Sequence, residues 1–215
     1  MRAVSGLLVS TSIAGLMAAA LLIALTSSSR GQDPQPAQPA KPAPVLSCTI
    51  SAEATIELGA APSVKVELKN LTDGEIVLVG SLDGSCQSRR YPYCQFTITG
   101  PDGNDPVKPA MGCGFMNPLR DKDFVAVAAH GTFDPYMHID DYGFFPAWQI
   151  NASTFDKVGE YRLRFTYSTD ETDLAKWGGT GSISDEVKAQ LARVPRTAVV
   201  SNELVIKVVE PKKGD

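Results

Sequence analysis

The chain has 215 residues, 43% of them hydrophobic and 20% charged, which suits one globular domain with an additional segment beside it. The net charge is −4, and the part after residue 45 keeps 17 basic and 23 acidic residues, a charge of −6. An acidic domain with scattered Lys and Arg lacks the basic stripe that nucleic acid requires, and anionic lipid surfaces are disfavoured for the same reason.

Arg2 precedes Gly6 to Thr26, an uncharged stretch rich in Leu, Ala and Ile. Such a segment fits a secretory signal, and it also has the ~20 apolar residues of a membrane-spanning helix. Thr26 and Ser27 are small, but no Ala-x-Ala triplet marks a cleavage site. Residues 1–30 are therefore expected to form an N-terminal apolar helix, either a cleaved signal peptide or a retained membrane anchor. Both place the rest of the chain outside the cytoplasm, in a periplasm, at a cell surface or secreted. Residues 31–45 follow with five prolines at near-regular spacing among Ala and Gln, a semi-rigid polyproline spacer.

Residues 46–215 are expected to fold as an all-β domain. Apolar and polar residues alternate from Thr49 to Leu58, predicting a first strand, and from Val64 to Lys69, predicting a second. Asp73-Gly74 is a hairpin dipeptide. Ile76 to Val79 is a continuous apolar run, as in a central strand buried on both faces. A loop over 80–93 leads to a strand around Phe96 and Ile98, stopped by Gly100-Pro-Asp-Gly103. Residues 104–122 read as irregular, Phe124 to Ala129 as a strand turned at His130-Gly131, and Tyr136 to Ile139 as a further strand.

The strongest local pattern is Gly159 to Tyr167. Tyr161, Leu163, Phe165 and Tyr167 alternate with Glu160, Arg162, Arg164 and Thr166, so one face is apolar and the other charged. The long insertion over 168–198 holds one predicted helix near 184–194, capped by Ser184, with Val187, Leu191 and Val194 on one face and Pro195 ending it. A closing strand runs from Ser201 to Val208. Seven to nine short strands with turns between them indicate an antiparallel β-sandwich with one short helix.

Gly159-Glu-Tyr161, with Asp156-Lys-Val before it and Leu163 and Phe165 after it, resembles the corner of exported bacterial proteins with an immunoglobulin-like β-sandwich domain. The resemblance implies that the Tyr161 hydroxyl bonds back to the chain upstream and pins that corner. It departs from antibody domains in two places: Leu163 stands where their inter-sheet cysteine would be, and the 75–80 strand carries no tryptophan. It implies no catalytic residue and no cofactor.

Cys48, Cys86, Cys94 and Cys113 show neither zinc nor redox spacing, and an even count fits disulfides in an exported chain. Up-and-down strand order would bring Cys86 to Cys94 at one end and Cys48 to Cys113 at the other. Between Cys86 and Cys94 lie Arg89, Arg90, Tyr91 and Tyr93, residue types that dominate binding surfaces, so this loop is the candidate partner-binding site for an unknown protein or glycan. The same loop, with its arginines, suits a protease inhibitor as an alternative.

An extracytoplasmic hydrolase is the other alternative, using His130 or His138, though no nucleophile-elbow motif is present. His138 with Asp140 and Asp141, and Asp102 with Asn104 and Asp105, read as solvated turns rather than metal sites, because neither forms a calcium loop. Asn70 and Asn151 open glycosylation sequons. Phe144, Phe145 and Trp148 form an aromatic cluster, read as core filling more than as a sugar platform.

Overall fold

In the computed structural model the described residues are 43–80, 89–108, 118–135, 149–178 and 182–212. All belong to the unit Pro42–Asp215. The expected N-terminal helix, most of the spacer and the expected 136–139 strand lie outside the described residues. No helix among the described residues is long and apolar enough to cross a membrane.

The domain is mostly β with one helix, and its central strand is the one with the clearest alternation. We number the strands in chain order: β1 Leu46–Ser51, β2 Thr55–Glu57, β3 Lys65–Asn70, β4 Ile76–Val79, β5 Tyr93–Thr99, β6 Phe124–Val127, β7 Thr132–Phe133, β8 Gly159–Ser168, β9 Ala198–Val200 and β10 Leu204–Val209, with helix α1 at Asp185–Leu191. The ten strands among the described residues exceed the expected seven to nine because β2, β7 and β9 are only two or three residues long, too short to show a period.

The strands form three sheets, ordered β1-β3-β7, β2-β10-β8-β5 with β9 also on β8, and β4-β6. Except for β2 on β10, which is parallel, every pairing is antiparallel. Only β8 and β9 are neighbours both in sequence and in a sheet. The up-and-down order assumed for the disulfides is therefore replaced by one full of crossovers, and Asp73-Gly74 links strands of different sheets instead of closing a hairpin.

The expected single strand over 49–58 is two strands. β1 pairs with β3, the chain then passes through Ala52–Ala54, and β2 joins the other sheet beside β10. The Ala54 carbonyl accepts from Lys207 N and Leu58 N donates to the Val209 carbonyl, fastening the new partner.

Tyr161, Leu163, Phe165 and Tyr167 are all fully buried, whereas Arg162 and Arg164 keep about half their side chains in solvent and share Glu203 at 2.8 and 3.5 Å. The four inward side chains pack with Leu46, Ile50, Val66, Leu68, Phe96 and Ile206 from both larger sheets in the principal core. Tyr161 forms the corner expected of it: its hydroxyl accepts from Lys157 N at 3.0 Å, four residues upstream. Gly159 opens the strand at φ +140, and a Cβ there would lie 2.6 Å from the Pro101 side chain, so no other residue fits.

β4 is buried on both faces, as its unbroken apolar run predicts, although in a two-stranded sheet. Leu78 enters the principal core; Val77 and Val79 enter a second cluster with Leu119, Trp177, Val187, Leu191 and Val194. The helix forms as expected, with the Ser184 hydroxyl accepting from Val187 N at 3.3 Å and Asp185 and Glu186 in its first turn.

The register predicts a large difference between neighbours on β8. Leu163→Ala should cost about 2–5 kcal/mol, and Arg164→Ala less than about 1 kcal/mol, read as shifts of the urea midpoint. Equal midpoints for the two variants would contradict the inward stripe.

Candidate functional site

The four residues expected to face a partner do not all do so. Arg89 is exposed and Tyr91 and Tyr93 are half-buried, but Arg90 is completely buried. Its Nη1 donates to the Tyr91 carbonyl at 3.3 Å, so it supports the segment from behind instead of meeting a ligand. Residues 81–88, including Cys86, lie outside the described residues.

Tyr91 and Tyr93 stack face to face, ring centroids 3.7 Å apart and planes 20° from parallel. Tyr91 also leans on Trp177 at 5.4 Å, and the Arg196 guanidinium lies 5.2 Å over the Trp177 ring. Four side chains from three distant segments thus make one ladder, Tyr93–Tyr91–Trp177–Arg196, joined by a stacked pair, a tilted ring contact and a cation–π contact. The insertion after β8 supplies its base. The Asp173 carboxylate accepts from Ala175 N at 2.9 Å and opens a single 3-10 turn, Leu174–Lys176, which delivers Trp177. The Trp177 ring nitrogen donates to the Glu171 carbonyl at 3.2 Å, and Tyr91 N donates to the Lys176 carbonyl at 2.9 Å. Burial, then the neighbouring Tyr93, Glu171 and Asp170, hold the Tyr91 phenol above its usual pKa, so it remains a hydrogen-bond donor.

Trp177 was missed from the sequence. The only sign is a lone Trp followed by Gly178 in a polar insertion, a pattern that fixes neither its burial nor its neighbour.

The other candidates are dispersed. His130 adopts φ 57 at its turn, and its Nε2 is 3.1 Å from Asp73 with both side chains exposed. His138, Asp140, Asp141, Phe144, Phe145 and Trp148 lie outside the described residues. Asp102 bonds Lys157 at 2.7 Å and accepts from Asn104 N, which together lower its pKa to about 2; Asp105 accepts from Val107 N. Among the described residues no three His, Cys, Asp or Glu side chains are grouped to hold a metal.

A groove of about 620 Å³ runs beside Ser63–Glu67 and Thr132–Asp134, and a hollow of about 250 Å³ lies around Asp102, Asp105, Asp156 and Lys157. Neither is lined by a histidine or by any residue of the aromatic ladder.

The two sequons differ sharply. Asn70 is fully buried: its Nδ2 donates to the Gly74 and Ala128 carbonyls at 2.7 and 3.0 Å, and its Oδ1 accepts from Thr72 N and Oγ1. It organises the turn after β3 and is closed to a transferase once the domain has folded. Asn151 is half-buried, with Ser153 N and Oγ donating to its Oδ1 at 2.8 and 2.6 Å.

Cys48 and Cys94 are both buried on strands and both belong to the principal core. Cys48 sits there as a thiol, pushed by burial up to about 12. Cys86 and Cys113, their expected partners, lie outside the described residues.

The chain matches no protein-family model, no curated protein and no solved structure.

The contrast between the two arginines gives a direct check. Arg90→Ala should lower stability by about 2 kcal/mol through lost packing, and Arg89→Ala by less than about 0.5 kcal/mol, in parallel thermal melts. Melting points that fall equally would mean Arg89 is as embedded as Arg90.

Proposed function

We propose that this chain is an exported, non-catalytic binding or structural domain, an immunoglobulin-like β-sandwich carried on a proline-rich spacer behind a signal peptide or membrane anchor. The observation that carries a binding role is the Tyr93–Tyr91–Trp177–Arg196 ladder: two half-buried tyrosines held rigidly on a buried tryptophan, with Arg89 exposed beside them. Rigid aromatics lose little side-chain entropy on binding, and Tyr and Arg are the residue types that dominate recognition surfaces. A protein or a glycan is the partner this chemistry fits. Nucleic acid is disfavoured by the acidic balance, and a membrane is reached only through residues 1–30 if they are retained.

The Lys157–Tyr161 corner bond and the shared core of the two larger sheets support the immunoglobulin-like reading. The disulfide pairs Cys86–Cys94 and Cys48–Cys113 remain part of the proposal for the oxidised, exported chain. With the up-and-down strand order gone, they rest on the even cysteine count and on export alone. Non-reducing peptide mapping reads them directly, and a Cys48–Cys94 bridge would discard both.

Binding is tested by presenting the purified chain to arrays of glycans and extracellular proteins. At least one specific binder is expected, weakened about tenfold, or about 1.4 kcal/mol, by Arg89→Ala or Tyr93→Ala. Binding that survives both substitutions would remove the ladder as the site. Turnover of an ester, peptide or glycoside that is lost in His130→Ala or His138→Ala would support the hydrolase reading instead. Inhibition of trypsin that is lost in Arg89→Ala would support the inhibitor reading.

A further inference from the structure

A strand at the edge of a sheet presents a row of N–H and C=O groups to any other strand that can reach it. Among the described residues the two larger sheets have five such edges, β1 and β7 in one and β2, β5 and β9 in the other. β7 has two residues and β2 and β9 have three each, too few to template a new ladder. β1 has six and β5 has seven.

Both long edges meet a side-chain carboxamide near their centres. On β5, Gln149 Oε1 accepts from Phe96 N at 3.0 Å while its Nε2 donates to the Phe96 carbonyl at 3.0 Å. On β1, Asn202 Oδ1 accepts from Ile50 N at 2.8 Å while its Nδ2 donates to the Ile50 carbonyl at 3.1 Å. A carboxamide carries one acceptor and a donor side by side, as a peptide group does. Each side chain therefore reproduces the two-point exchange that one residue of an antiparallel neighbour would make. The short edges have no counterpart of this kind among the described residues.

The two carboxamides come from unrelated places. Gln149 precedes the corner before β8 and is 5% exposed; Asn202 lies where the chain passes from β9 to β10 and is exposed. That the same two-point pairing falls on both long edges, from a buried and from an exposed residue, is not required by burial alone. We propose that Gln149 and Asn202 are edge blockers, which stop β5 and β1 from pairing with the same strands of a second copy of this chain.

The test compares two double variants of the full chain, with the wild type as reference. Gln149→Met with Asn202→Leu keeps the approximate volume and removes both pairings. Gln149→Glu with Asn202→Asp also weakens them, but puts a charge on each edge, which itself resists strand addition. The apolar pair should self-associate, its sedimenting mass rising with concentration above that of the wild type. The charged pair should keep the wild-type mass even though its melting point falls. Wild-type mass for the apolar pair at every concentration would reduce the two amides to internal fasteners and overturn the proposal, as would equal association of both pairs. Should the apolar double variant not fold, each single substitution is read in the same way. The wild type supplies a further check by hydrogen exchange: the Phe96 and Ile50 amides should be protected to within about tenfold of the amides of β8. Exchange at the rate of an open edge would overturn the assignment.

Discussion

Burial of the inward side chains of β8 is the constraint on which the rest of the domain depends. Two of the four are tyrosines, and a phenol hydroxyl taken out of water must find partners or cost about 1–3 kcal/mol. Tyr161 solves this at the start of the strand by accepting from Lys157 N, which fixes the approach of the chain. Tyr167 solves it at the far end by meeting both backbone groups of Val79 on β4, each at 3.3 Å. Burial, and then the neighbouring Cys94, hold the Tyr167 phenol well above its usual pKa against the lowering effect of the Val79 hydrogen bond, so it stays protonated and keeps donating. One strand thereby sets the position of its own corner and of a strand in a different sheet. The requirement that produces this is chemical and local, while its consequence is long-range.

That link to β4 is what connects the principal core to the candidate site. With Leu78 facing one core and Val79 the other, β4 is a shared wall. The insertion after β8 closes over its far side with α1 and Trp177, so it acts as a second cover and not as a loose appendage. Trp177 then serves twice, as the largest fully buried side chain among the described residues and as the base under Tyr91. The candidate surface is thus anchored to the core through β4 yet contributed mainly by connections, as recognition surfaces on rigid scaffolds generally are.

What was legible in the sequence was local. The period of two marked β3, β8 and β10, the unbroken run marked β4 as buried on both faces, and Ser184 with two acids marked α1, because each pattern is written within one element. What was not legible depended on partners far along the chain. Alternation runs unbroken from Thr49 to Leu58, and nothing in it shows the chain changing sheets at Ala52–Ala54. An arginine in a loop rich in Gly and Ser reads as solvated, and only the fold reveals that Arg90 is enclosed. The sequon at Asn70 has the residue types of a modification site, but its amide is consumed by carbonyls from two turns, one of them about sixty residues away. Gln149 sits outside any periodic stretch, and Asn202, read as part of a closing strand from Ser201, lies ahead of β10, which starts at Leu204; no pattern within either segment could assign it to the edge of a distant strand.

The candidate surface gains its definition from the same kind of long-range closure. Tyr91 and Tyr93 are separated by one proline, and in an isolated peptide their rings would sample many rotamers. Here the backbone of Tyr91 is tied to Lys176, its ring lies against Trp177, and Arg90 is buried behind it. Trp177 and Arg90 are fully buried, and Lys176 contributes only its backbone carbonyl. The ordering of the tyrosine pair is therefore completed during folding, and a partner would meet a surface whose entropy has already been lost. This separates the two arginines that the sequence presents as equivalent: Arg90 is enclosed and makes the surface rigid, and Arg89 is exposed beside it.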